Sequence, residues 1–168
     1  EKGDAVTAEP LLRELAVDND EAAGWLGILL VQRGDEASVS EGMILLRRAA
    51  FAGNARARYG LAFQYLTGAG TNRDDIDAAR LFREAAQGGI ARAAYNLGLM
   101  HAAGRGVPRD PAQALKWYEQ ASKAGDPYGS YAWARARETS PQAAQRWNEI
   151  APLYLGAAKA GHLPAAVR

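Results

Sequence analysis

Glycines at positions 53, 89, 125 and 161 stand 36 residues apart, and no other feature of the chain limits its fold so strongly. A pair of small residues precedes each at a fixed distance: Ala49-Ala50, Ala85-Ala86, Ala121-Ser122 and Ala157-Ala158. Larger residues keep the same offset in further columns, such as Tyr59, Tyr95 and Tyr131, or Leu61, Leu97 and Trp133. So do Leu45, Leu81, Trp117 and Leu153, and Leu46, Phe82, Tyr118 and Tyr154. Agreement of so many columns in one register makes this an internal repeat. A unit of this length cannot bury its apolar face alone, so successive copies must stack to form a core. The chain divides into repeats 19–54, 55–90, 91–126 and 127–162. Residues 1–18 are an N-terminal helix or partial repeat, and 163–168 open a fifth.

The third repeat shows what one copy folds into. Ala is abundant while Val and Ile are sparse, which favours helices over strands. A first helix, helix A, is predicted over Ala91–Ala103. Gly104-Arg105-Gly106-Val107-Pro108 ends it, since glycine weakens a helix and the residue before proline leaves helical geometry. Asp110 is a suitable N-cap with Pro111 at the first helical position, and helix B then carries Ala114, Trp117, Tyr118 and Ala121 at helical spacing. Gly125 stops it, where a left-handed residue is commonly required. Small residues at Ala94, Gly98, Ala114 and Ala121 would let the two antiparallel helices approach closely. The second repeat follows the same plan, with a helix over 76–87 stopped at Gly88-Gly89. The first repeat departs from it: its loop, Gln32–Ser40, keeps only Gly34. The fourth also departs, with Ser140-Pro141-Gln142 in place of Gly-x-Gly and Pro152 inside the expected second helix. A helix start near Pro141 and a kink or break around Ala151-Pro152 are expected there. At the N-terminus, Pro10 followed by Leu11, Leu12, Leu15 and Ala16 predicts one short helix.

The third repeat resembles a Sel1-like repeat, a relative of the tetratricopeptide repeat with a longer loop. Ala94, Leu97-Gly98, Gly104-Arg105-Gly106-Val107, Asp110, Ala114, Trp117-Tyr118, Ala121 and Gly125 carry the family pattern. His101 stands where the family has Tyr, and Ser122 replaces the second Ala of a pair. The second repeat matches through Leu61, Tyr65, Gly68-Ala69-Gly70, Asp74, Ala78, Ala85-Ala86 and Gly89; the first and fourth match in part. The resemblance implies an all-α fold, a right-handed α/α superhelical solenoid of helix-turn-helix repeats with helix A on the concave side. It also implies a non-enzymatic scaffold or adaptor for another protein, such as a bacterial periplasmic regulator or the immunity protein of a secreted toxin. A periplasmic or secreted bacterial setting is accordingly favoured over a cytoplasmic one. A structural spacer within a longer repeat protein is the alternative.

Composition excludes several chemistries. With no cysteine there is no disulfide, thiolate ligand or cysteine nucleophile. No apolar run approaches the roughly 20 residues needed to cross a bilayer, so membrane insertion is not expected. The chain begins with Glu1 rather than Met, which fits removal of a leader or of a longer N-terminal part. Residues 1–54 hold 10 acidic and 5 basic residues, whereas residues 55–168 hold 9 and 15. That asymmetry suits an acidic protein partner in the later repeats, while the acidic first third argues against a continuous track for nucleic acid. The two histidines lack matched carboxylates at ligand spacing, so no metal is expected, and no cofactor. His101 shares a column with Tyr65 and Arg137 and reads as a packing residue; a small-molecule enzyme centred on it is a remote rival. His162 shares the turn column with Asn54, Ile90 and Asp126 and reads as an exposed turn residue. Gly104-x-Gly106 resembles part of a phosphate loop, but no strand precedes it and Gly68-x-Gly70 repeats it, so it reads as interhelical loop.

A partner would sit on the face of helix A not needed for packing. Ala94, Leu97, Gly98 and His101 mark the packed face. The other face carries Arg92, Tyr95, Asn96 and Leu99. In register it carries Arg56, Tyr59 and Phe63 in the second repeat, and Tyr128, Tyr131 and Arg135 in the fourth. Tyrosine and arginine are enriched where interfaces bind most strongly, so these ten residues are the candidate partner-binding set. Tyr59, Tyr95 and Tyr131 recur so regularly that packing on neighbouring helices explains them equally well.

Overall fold

A computed structural model describes residues 2–138 and 147–161, with side chains from Ala8 onward. The described residues form nine α-helices and no strand: α1 Lys2–Leu15, α2 Asp20–Arg33, α3 Glu36–Phe51, α4 Ala55–Thr67, α5 Asp75–Gln87, α6 Ala91–Ala103, α7 Pro111–Lys123, α8 Pro127–Glu138 and α9 Trp147–Lys159. After α1, helices A (α2, α4, α6, α8) alternate with helices B (α3, α5, α7, α9). The chain folds as two compact units, Glu1–Gly88 and Gly89–Arg168.

The glycine columns hold the turns that the period demands. Gly53, Gly89, Gly125 and Gly161 have φ of 95°, 90°, 85° and 84°, a left-handed geometry that a Cβ disfavours. The Gly-x-Gly loops work the same way, with Gly68 and Gly70 at 77° and 72°, and Gly104 and Gly106 at 72° and 65°. Each loop is then closed by its aspartate: the Asp74 N–H donates to the Tyr65 carbonyl and the Asp110 N–H to that of His101, both at 2.9 Å. Their side chains cap helix B, Asp110 accepting from the N–H groups of Ala112 and Gln113 at 2.9 and 3.0 Å. These glycines are turn elements of the scaffold.

In the first unit, α1 packs on α2, α2 on α3, α3 on α4 and α4 on α5, with α2 also against α4. Leu26, Leu30, Leu46 and Phe82 are fully buried. Small residues set the spacing. A Cβ on Gly42 would lie 2.8 Å from the Gly27 carbonyl oxygen, so α2 and α3 meet backbone to backbone. In the second unit, α6 packs on α7, α7 on α8 and α8 on α9, with α6 also against α8. Gly98 lets the Tyr118 ring lie flush on α6, where a Cβ would be 2.5 Å from it. Ala94, Ala114 and Ala121 are buried beside them, the close approach their small size foretold. Ala134, Ile150, Tyr154 and Ala157 form the core between α8 and α9.

Three expectations need correction. The loop expected over Gln32–Ser40 is only Gly34-Asp35, because Gly34 ends α2 in the left-handed region and Asp35 caps α3 through the Ser38 N–H. Helix α9 runs unbroken through Pro152. That residue and Asn148, whose carbonyl loses its usual partner, are exposed, so water can satisfy the freed group. Likewise α1 extends back to Lys2 and holds Pro10 in its interior, on an exposed side, instead of starting after it. The expected helix start near Pro141, His162 and residues 163–168 lie outside the described residues.

Candidate protein-binding face

Helix A divides as its register demands. Ala94, Leu97 and His101 are buried along one side of α6, while Leu99 is 43% exposed. His101 thus fills a packing position, and its Nδ1 has no hydrogen-bond partner among the described residues. The turn column proves to be the N-cap column of helix A: Asn54 accepts from the Ala57 N–H at 2.8 Å and Asp126 from the Gly129 N–H at 2.7 Å, whereas Ile90 offers no side-chain cap.

The ten candidate residues fall into three groups. Tyr59, Tyr95 and Tyr131 are half-buried, each against the aromatic ring of its own helix B: Phe82 at 5.8 Å, Tyr118 at 6.1 Å and Tyr154 at 5.7 Å between centroids. Burial raises the pKa of Tyr95, and it pushes Tyr118 up to about 12. These tyrosines are the floor of the face. In the first unit Arg56 and Phe63 are exposed on that side of helix A; in the second Leu99, Tyr128 and Arg135 are exposed, with Asn96 half-buried. Arg92 is different. Its Nε donates to the buried carboxylate of Asp126, and its guanidinium carbon lies 3.9 Å from the centre of the Tyr128 ring. Asp126 therefore caps α8 with one oxygen and holds Arg92 with the other, so Arg92 is a structural tie that still shows a stacked face to solvent.

The first unit has a corresponding stack that the sequence left unseen. The Arg56 guanidinium lies 4.0 Å from the ring centre of Trp25, which is 43% exposed on α2. One turn further on, α2 and α4 part around a cleft of 330 Å³ lined by Ile28, Val31, Leu46, Tyr59, Phe63 and Gln64. Gly60 contributes no side chain to it; a Cβ there would already be 3.1 Å from Ile28. Trp25 and Ile28 could have been found by noting that they share a stripe of α2 facing the Arg56 and Tyr59 columns. Their omission followed from the poor match of the first repeat.

Each unit thus presents an arginine stacked on an aromatic ring beside exposed apolar groups, on the side of helix A away from the core. Such a surface offers large contact area with few side-chain rotamers to freeze, together with polar handles. Among the described residues no group of three or more His, Asp or Glu side chains is placed to hold a metal, and no helix is long and apolar enough to cross a membrane.

Comparison with known proteins agrees with this architecture. The family model described as the Sel1 repeat matches residues 55–90 and 91–126. The chain is similar to the solved structure of c5321, a protective antigen present in uropathogenic Escherichia coli strains that displays an SLR fold. The identity is 27% and the TM-score 0.80, over 94% of this chain and 34% of that one. A Sel1 repeat protein from Oxalobacter formigenes shares the fold at 23% identity and a TM-score of 0.81, over 96% of this chain and 68% of the other. Cysteine rich protein B of Helicobacter pylori does so at 20% and 0.56, over 68% of this chain and 88% of the other. A sequence comparison with curated proteins gives no match. Residues 55–90 and 91–126 are therefore two consecutive Sel1 repeats, set in an all-α array whose flanking copies follow the same helix A–helix B plan.

Proposed function

We propose that the chain is a binding module that holds a segment of another protein against the exposed side of its helices A. Sel1-repeat proteins are generally protein-interaction scaffolds, and the residues left over from packing here are of the right kind for that work. The observation that carries the reading is the pair of arginine–aromatic stacks, Arg56 on Trp25 and Arg92 on Tyr128, each bordered by exposed apolar side chains. Arg56 has no ion-pair partner among the described residues, and Arg135 is exposed over Tyr131. An acidic or hydroxyl-bearing segment suits both. A periplasmic regulator or the immunity partner of a secreted toxin is one form this role would take, supported by likeness to a bacterial repeat protein.

Substitution of Arg56 and Arg135 by Glu with Phe63 by Ser is the informative variant, since all three are exposed. Capture of a partner from bacterial extract should be lost by this variant at low salt, while its thermal unfolding stays cooperative and its melting temperature falls by no more than a few degrees. Undiminished capture would refute the placement of the site. Arg92 is a poor choice for that test because its replacement strands the Asp126 carboxylate. A small-molecule enzyme built on His101 predicts the opposite separation: His101→Phe would abolish activity and leave capture intact.

A further inference from the structure

The helix-B side of the first unit carries a feature that the repeat plan does not need. On α3, Ile44 and Phe51 are 64% and 96% exposed, and Arg47 lies on the same stripe between them. The positions in register are Arg80, Arg83 and Gln87 on α5 and Lys116, Glu119 and Lys123 on α7. Those copies are polar throughout, and on α7 Glu119 and Lys123 simply pair at 2.8 Å. Packing between repeats therefore requires nothing apolar here. A phenylalanine almost wholly in water beside a second large aliphatic side chain marks a contact surface.

The surroundings of the stripe say what would cover it. Between α3 and α5 runs a cleft of 280 Å³ with Leu61 and Leu81 in its floor, and Phe51, Arg47, Arg58 and Arg80 around it. Glu84 is the acidic residue of that lining. It is shared by Arg58 at 3.4 Å and Arg80 at 2.9 Å, and Arg80 also reaches Asp77. Arg47 has no ion-pair partner among the described residues. The cleft lining keeps a positive excess over its apolar floor, so a carboxylate brought to it meets an unpaired guanidinium.

We propose that this face of α3 and α5 is a second docking surface, distinct from the helix-A face, and that its occupant is an acidic amphipathic helix of a partner protein. An apolar side chain of that helix enters the cleft beside Phe51, a second covers Ile44, and a flanking Asp or Glu pairs with Arg47. Ile44 and Phe51 lie two helical turns apart, a spacing that an apolar helix stripe repeats at i and i+7.

The test uses the full chain and two synthetic peptides of roughly four helical turns. One carries Leu and Phe along one stripe flanked by Glu, and the other has every Glu replaced by Lys. Fluorescence anisotropy should show the acidic peptide binding at low salt and the basic one binding at least about tenfold more weakly. The double variant R47S/F51S should weaken acidic-peptide binding about tenfold or more with an unchanged melting temperature. The helix-A variant Phe63→Ser should leave it intact, which separates this surface from the other. Absence of acidic-peptide binding, equal binding of both peptides, or indifference to R47S/F51S would overturn the proposal. So would sedimentation showing that the wild-type chain self-associates while R47S/F51S is monomeric, since a second copy would then be the occupant.

Discussion

Arg56 and Arg92 occupy the same column one repeat apart and do different work. Arg56 reaches back to the preceding repeat and stacks on Trp25. Arg92 reaches forward, stacking on Tyr128 and tying itself to Asp126. The cause is legible in the register: 34 residues beyond Arg92 stands Asp126, whereas 34 beyond Arg56 stands Ile90. An aspartate at the N-cap of helix A supplies a cap and a counter-ion together, and an isoleucine supplies neither. One substitution in the turn column thus turns a surface arginine into a fastener. The floors differ in the same manner, since Phe82 lies under Tyr59 where Tyr118 lies under Tyr95.

The largest expected consequence of that contrast is alkaline. Tyr118 is held neutral by burial, with its pKa at about 12, while in the unfolded chain a tyrosine ionises near pH 10. Its stabilising contribution is full below the unfolded value and is lost as pH rises toward the folded one. A loss on the order of 2 kcal/mol at most, reduced by solvent screening, is expected between about pH 10 and pH 12. Tyr118→Phe, the residue that the first unit uses, should remove most of that loss in urea titrations across the window. Next comes Asp126→Ala, which deletes both the α8 cap and the counter-ion and should cost about 2 kcal/mol. Asp126→Asn keeps the capping oxygen and should cost about half as much; that cost is the ionic part, and what Asp126→Ala loses beyond it is the cap. Arg92→Ala leaves a buried carboxylate with its cap bond alone and should cost about 1–2 kcal/mol, with hydrogen exchange rising first in α8. Arg56→Ala removes an exposed cation–π stack and should cost about 0.5 kcal/mol or less.

The fold was legible because it is repeated. Glycines at fixed offsets, an aspartate before each helix B and small residues at the contact positions all report backbone geometry, which local chemistry dictates. On that basis the ends of α6 and α7 follow from the sequence almost to the residue. The loop of the first repeat is not legible in the same way, because a two-residue connection with an αL glycine and an aspartate cap does the work of a longer glycine loop. It has no periodic signature.

The candidate site was harder to read, for a physical reason. A face defined as what packing does not need cannot reveal side chains that reach along the surface to a neighbour. Arg92 looked free because its counter-ion sits in the turn column, which read as solvent-exposed; burial of Asp126 is a tertiary fact. Trp25 was missed because it lies in the repeat with the weakest register. The tyrosines, evenly balanced between floor and face from the sequence, are partly both: each stands on a ring of helix B and still contributes to the surface above it.

The most direct test of the account measures the unfolding free energies of Arg56→Ala and Arg92→Ala side by side in urea at neutral pH. If the column holds a surface residue in one repeat and a fastener in the next, Arg92→Ala should be the more destabilising by about 1 kcal/mol, and Arg56→Ala should lie close to wild type. Equal costs for the two substitutions, or a larger one for Arg56, would contradict it.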